Sequence, residues 1–201
     1  QQAAEEYSRQ FDRYMALIER GVKLRTRMQE TAQVSREEFE FIELDMYDAV
    51  RVLRLEGDRL KGSDPLTVAE ATSGLTKQIL DMRTLENVYV ANSSDEAATG
   101  WSDLHGNVTT IGSNLKIWLN DDQKASMDKA LAELDQYKLA FDEFRQNRSE
   151  RLALEQSMAQ QSEVVIAAAD EALANASSAM QQQKSSSYML LGVIGALAIL
   201  V

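Results

Sequence analysis

Arg83 lies between Ile79, Met82 and Glu86 in a segment whose apolar residues recur at helical spacing, so its guanidinium falls on or beside the inward track of a helix. An unpaired charge in that position is costly, and something must neutralise it. Two kinds of partner fit. One is internal, either Glu86 or a carboxylate on a facing helix. The other is the carboxylate of a small ligand, gripped by two guanidinium nitrogens at once. Asn87, one turn further on the same side, and Tyr137 on a later helix can add hydrogen bonds, although Tyr137 serves equally well as core. Arg148 continues the inward series of Tyr137, Phe141 and Phe144, and Arg25 follows Ile18 and Val22. Each of these two arginines reads as a ligand group, a salt-bridge partner or a side chain snorkelling along apolar surface, the last two being the ordinary readings.

Catalysis has no comparable support. No nucleophile with a nearby base, no glycine-rich phosphate loop and no cluster at metal-ligand spacing is present, so neither an enzyme nor a cofactor is expected. The one histidine, His105 in "DLHGN", follows the apolar Leu104 and is expected to be a partly exposed side chain rather than a base. Cysteine is absent, which excludes disulfides and thiolate zinc sites. The carboxylates of "REEFEFIELD" read as a solvated acidic face. With 32 acidic against 21 basic residues and no dense basic patch, nucleic acid is not an expected partner.

The residues that carry the candidate chemistry must be positioned by helices. From Ser113 to Leu191 there is neither glycine nor proline, and Met127, Leu131, Leu134, Tyr137, Phe141 and Phe144 recur at steps of three and four. This predicts one long helix, opened in "LNDDQ" by Asn120 or Asp121 as cap. A second long helix is expected over most of Gln1 to Glu56, ended by Gly57. The "SREE" at Ser35 resembles a capping box, but no breaker precedes it and continuity is favoured. Gly62, Asp64 and Pro65 make a turn, and two shorter helices follow, from about Leu66 to Ala91 and from about Asp95 to Leu119. Short connections make successive helices antiparallel neighbours. The expected architecture is therefore all-α: a membrane-distal four-helix bundle over about 35–150, and half of a second, stacked bundle from 1–34 and 151–187.

Two helices rarely bury a stable core alone, so the missing half is expected from sequence upstream of Gln1 or from another subunit, and a homodimer is expected. The final run "YMLLGVIGALAILV", 188–201, carries no charge and spans about 21 Å as a helix. Crossing the hydrocarbon takes about 20 residues, so this run reads as the start of a truncated transmembrane helix that anchors the chain in a membrane. A chain that opens on Gln1 and stops inside such a run is expected to be a piece of a longer polypeptide.

The stretch "KQILDMRTLENVYVANSSDEAA", followed by "LDQYKLAFDEFRQNR" and a long helix running into an apolar segment, resembles the helical bimodular sensor domain of bacterial chemoreceptors and related sensor histidine kinases. The likeness covers nearly the whole chain and is clearest from Ser73 to Met158. It implies two stacked four-helix bundles outside the cytoplasmic membrane, held between two transmembrane helices and binding small metabolites, organic acids prominent among them. Arg83 coincides with an arginine that carboxylate-binding relatives use. An arginine that dicarboxylate-binding relatives use in the lower module falls instead on Glu155. The expected function is thus an extracytoplasmic receptor region that signals through a small displacement of its last helix. The alternatives are the same sensor on a histidine kinase, or a structural helical stalk without a ligand.

Overall fold

A computed structural model describes residues 2–56 and 65–199, with side chains over 5–53 and 65–184. The described chain is all-α: α1 spans Gln2–Glu56, α2 Pro65–Asn92, α3 Asp95–Leu115 and α4 Asp121–Ile199, with a single 3-10 turn at Lys116–Trp118 and no strand among the described residues. The expected turn at Gly57, Gly62 and Asp64 lies outside the described residues. So do the side chains of 188–201, the expected start of a membrane span, although the helical backbone of α4 runs on to Ile199. Among the described residues no helix is long and apolar enough to cross a membrane.

The helix ends follow local chemistry. Ser94 caps α3 by accepting the Ala97 N–H on its hydroxyl at 3.2 Å. α4 opens on a reciprocal cap: Asn120 Oδ1 accepts the Gln123 N–H at 2.8 Å, and Gln123 Oε1 accepts the Asn120 N–H at 3.0 Å. Gln123 also donates to Asp45, which fastens the start of α4 to α1. No break occurs at Ser35; it is fully buried inside an unbroken α1. α3 stops at Leu115, short of the expected Leu119, because the chain tightens into the 3-10 turn and then extends at Leu119 (φ −95°, ψ 148°).

The chain divides into two compact units, Glu19–Arg148 and Gln1–Ile18 with Ser149–Val201. Leu24 and Met28 of α1 belong to the same core as α2, α3 and the first part of α4, within the larger unit.

In the larger unit, one buried stripe per helix fills the core: Leu24, Met28, Phe39, Ile42 and Met46 from α1; Val68, Thr72, Leu75, Ile79, Met82, Glu86 and Tyr89 from α2; Trp101, His105 and Val108 from α3; Met127, Leu134, Tyr137 and Phe141 from α4. On α2 and α3 these seats advance by threes and fours, the spacing of one helix face. Arg20 on Glu143, Arg27 on Gln136 and Lys129 on Glu38 pair α1 with α4 in antiparallel order.

Two apolar residues at helical spacing face outward: Val22 is 62% exposed and Ile111 is exposed as well, and Gly21 and Gly112 take the buried seats beside them. At Gly21 an added Cβ would meet Asn147 Oδ1 at 3.2 Å, and at Gly112 it would meet Leu131 Cδ2 and Met127 Sδ at 3.1 Å. A Cβ at either position would require the facing side chain of α4 to give by a few tenths of an ångström.

In the smaller unit the start of α1 pairs with α4 through Arg13 to Glu150 at 3.9 Å, Tyr14 to Glu155 at 2.7 Å and Gln10 to Ser157 at 3.4 Å. Leu17 and Leu154 are its buried apolar residues among those described. Residues 163–184 of α4 are exposed throughout.

Candidate ligand-binding site

Glu86 occupies a core seat of α2 between Met82 and Tyr89 and is 1% exposed. Two groups hold its carboxylate. Arg83, one turn earlier on the same helix, pairs with Oε2 through a terminal guanidinium nitrogen, and Tyr137 on α4 donates its hydroxyl to the same oxygen at 2.5 Å. The Arg83 side chain is 26% exposed, so the guanidinium stands at the rim of the core with one end in reach of solvent. Burial pushes the Glu86 carboxyl above its usual pKa; the Tyr137 hydroxyl, Arg83 and the charge of Arg25 on α1 pull the other way. Burial and the neighbouring carboxylate push the Tyr137 phenol well above its ordinary value, so it remains a donor.

An aromatic wall fixes Tyr137. Trp101 of α3 meets its ring edge-on (centroids 4.9 Å, 85°) and lies nearly parallel to Phe141 (4.4 Å, 26°). Phe141 in turn meets Tyr89 edge-on at 5.4 Å. His105 also stacks on Trp101 (centroids 5.6 Å, 16°) and is 8% exposed. It is therefore a core residue and not the partly exposed one expected, because the α3 stripe passes through 101, 105 and 108 and leaves Leu104 at its edge. Burial holds the His105 pKa below its ordinary value, with Asp135 opposing at 3.6 Å.

The five candidate residues separate into two groups. Arg83 and Tyr137 meet on Glu86, and Arg25 acts on the same carboxylate by its charge while standing exposed and making no ion pair among the described residues. Asn87 is exposed one position beyond Glu86. Arg148 is engaged elsewhere: it donates to the Val90 carbonyl at 2.9 Å and to the Ser93 hydroxyl, closing the C-terminal end of α2. Ser93 adopts a left-handed conformation there (φ 58°) and its N–H returns to Tyr89 O at 2.7 Å.

Sequence reasoning gave Glu86 a place only as a possible partner of Arg83. The spacing 79, 82, 86, 89 would have marked it as a core seat had an ionisable residue been allowed on that track.

In the smaller unit, Glu155 accepts the Tyr14 hydroxyl, which raises the Tyr14 pKa, and it lies 3.6 Å from Arg151. Tyr7, Phe11, Tyr14, Glu155 and Met158 line an open cleft of about 270 Å³. A second cleft of about 440 Å³ is lined by Arg9, Arg13, Glu150 and Ser157 among others. The arginines of that second cleft are already paired, Arg9 with Glu6 and Arg13 with Glu150. On the acidic face of α1, Glu38 pairs with Lys129 and Glu40 with Arg36. Among the described residues no group of three or more His, Asp or Glu is placed to hold a metal ion.

Fold and site together define an all-α protein in which a buried carboxyl is held by a tyrosine and by an arginine at the edge of the core. No protein-family model, curated protein or solved structure matches the chain.

Proposed function

We propose that this chain is the extracytoplasmic ligand-binding region of a bacterial transmembrane chemoreceptor of the helical bimodular kind. It takes a small organic acid on Arg83 and signals through a small displacement of α4. One observation carries the reading: two guanidiniums, Arg83 and Arg25, act on the carboxyl of Glu86, the one acidic group buried among the described residues, so positive charge exceeds negative in the cluster. A carboxylate ligand supplies the missing negative charge, with exposed Asn87 alongside as a hydrogen-bond donor. Tyr137 sits on α4 itself, so a ligand that alters the Glu86 cluster acts directly on the helix expected to carry the signal. Anchoring through 188–201, a location outside the cytoplasmic membrane and assembly as a homodimer belong to the same proposal.

A second reading has an observation of its own. The Arg83–Glu86 pair already neutralises the arginine from within, as a structural helical stalk with no ligand requires. Thermal-shift screening with organic acids, amines and amino acids separates the two. A ligand at 100 times its dissociation constant stabilises the fold by about 2.7 kcal/mol. The receptor reading expects an organic acid among the hits and its loss on Arg83→Ala. A screen without hits favours the stalk. The cytoplasmic output, methyl-accepting or kinase, is read from the polypeptide that follows the membrane segment.

A further inference from the structure

Resting on the carboxylate-sensor reading above, we propose that Glu86 occupies Arg83 in place of the ligand, and that an incoming carboxylate takes over the guanidinium while the released Glu86 takes up one proton. The geometry sets up the exchange. Arg83 is at the rim, its partner Glu86 is fully buried, and both lie on one turn of α2, so the guanidinium can turn outward without moving a helix. Once Arg83 has turned to the ligand, Glu86 keeps the Tyr137 hydroxyl, but a buried carboxylate held by one neutral donor does not stay ionised.

The charge that remains when Arg83 turns away is that of Arg25, which is exposed, makes no ion pair with Glu86 and acts on it less strongly than Arg83. On its own helix Glu86 faces Arg83, on α4 Tyr137, and on α1 it feels exposed Arg25. On α3 the neighbouring ring is Trp101, packed against Tyr137, with His105 stacked on it. The balance is simple. One proton passes from solvent to the Glu86 carboxylate, the ligand stays an anion, and Arg83 exchanges one carboxylate for another. Burial already pushes the Glu86 pKa upward, in the direction that favours taking up the proton. Glu86 thereby sets the threshold for the ligand, since every acid that binds must first displace it.

Calorimetric titration of the full chain with acetate, lactate and succinate, each in Tris and in HEPES, counts the protons taken up. The wild type is expected to bind at least one acid with uptake of close to one proton. Its affinity is expected to fall as pH rises from about 6.5 to 8.5, approaching tenfold per pH unit once Glu86 is ionised in the free protein. Glu86→Gln keeps the length of the side chain and the oxygen that receives the Tyr137 hydroxyl. It is expected to bind the same acid about tenfold tighter or more, with no proton uptake. Binding by Glu86→Gln where the wild type shows none also supports the proposal. Wild-type binding without proton uptake and without pH dependence overturns the role of Glu86 and leaves the carboxylate sensor standing. Failure of both folded proteins to bind any of the acids overturns the sensor reading and the exchange with it. The wild-type pH series needs no variant, so the proposal stays testable even if Glu86→Gln does not fold.

Discussion

The Tyr137 hydroxyl rests on the Glu86 carboxyl at 2.5 Å, joining α4 to α2 through the one acidic side chain that is buried among the described residues. Removing that hydroxyl with Tyr137→Phe leaves the ring packing against Trp101 intact. Hydrogen bonds to charged groups contribute about 1.5–3 kcal/mol, and urea unfolding at pH 8 is expected to show a loss in that range. The sign with pH follows from linkage. The hydroxyl lowers the Glu86 pKa, so its loss raises that pKa further, and a raised carboxyl loses stability as pH climbs through it. The variant and wild type should therefore converge near pH 4 and separate as pH rises; equal losses at pH 4 and pH 8 would mean that Glu86 is neutral throughout.

His105 gives a dependence in the opposite direction. Its folded pKa is depressed by burial, so the unfolded chain binds the proton first as pH falls below about 6.5. Its contribution to stability is present above that value and is lost as pH falls through the folded pKa. Relative to His105→Gln, which does not titrate, the wild type should lose melting temperature between pH 7 and pH 5. A gap independent of pH would remove burial as the cause.

The glycines sort by what surrounds them. Gly74 and Gly106 lie in helices with nothing within 4 Å of an added Cβ, so Gly74→Ala and Gly106→Ala should each stabilise by about 0.5–1 kcal/mol through helix propensity alone. Gly112→Leu forces a large side chain onto Leu131 and Met127 and should cost about 1–3 kcal/mol. Chemical denaturation of the three variants in one buffer tests the ordering.

Arg148→Ala should lower stability by about 1–2 kcal/mol, because the Val90 carbonyl and the Ser93 hydroxyl lose their donor at the end of α2. Binding of any organic acid found by screening should be unchanged within about twofold once the variant is folded. A loss of binding comparable to that of Arg83→Ala would return Arg148 to the ligand site.

Helix boundaries were legible because they are written in local chemistry. Asn120 with Gln123 closes a reciprocal cap, Ser94 caps its own helix, and a long run free of glycine and proline gives an unbroken α4. Facing was less legible wherever a small or polar residue holds a core seat. Counting apolar side chains favours Val22 and Ile111, yet the close approach of α4 selects their neighbours Gly21 and Gly112. The same bias set His105 at the surface and gave Glu86 only a supporting part, since both ride on tracks otherwise filled by apolar residues. The role of Arg148 was out of reach, because it depends on the left-handed turn at Ser93 that brings the end of α2 beside α4.

The Glu86 seat also limits the stroke of any piston in this bundle. Sliding α4 along α2 by one heptad, about 10 Å, would replace Tyr137 with Ala130 or Phe144 and leave an ionisable group facing hydrocarbon. Travel of about 1–2 Å keeps the phenol within reach of the carboxylate. If α4 slides as proposed, the buried pair would act as a detent, permitting a short throw and barring the next notch.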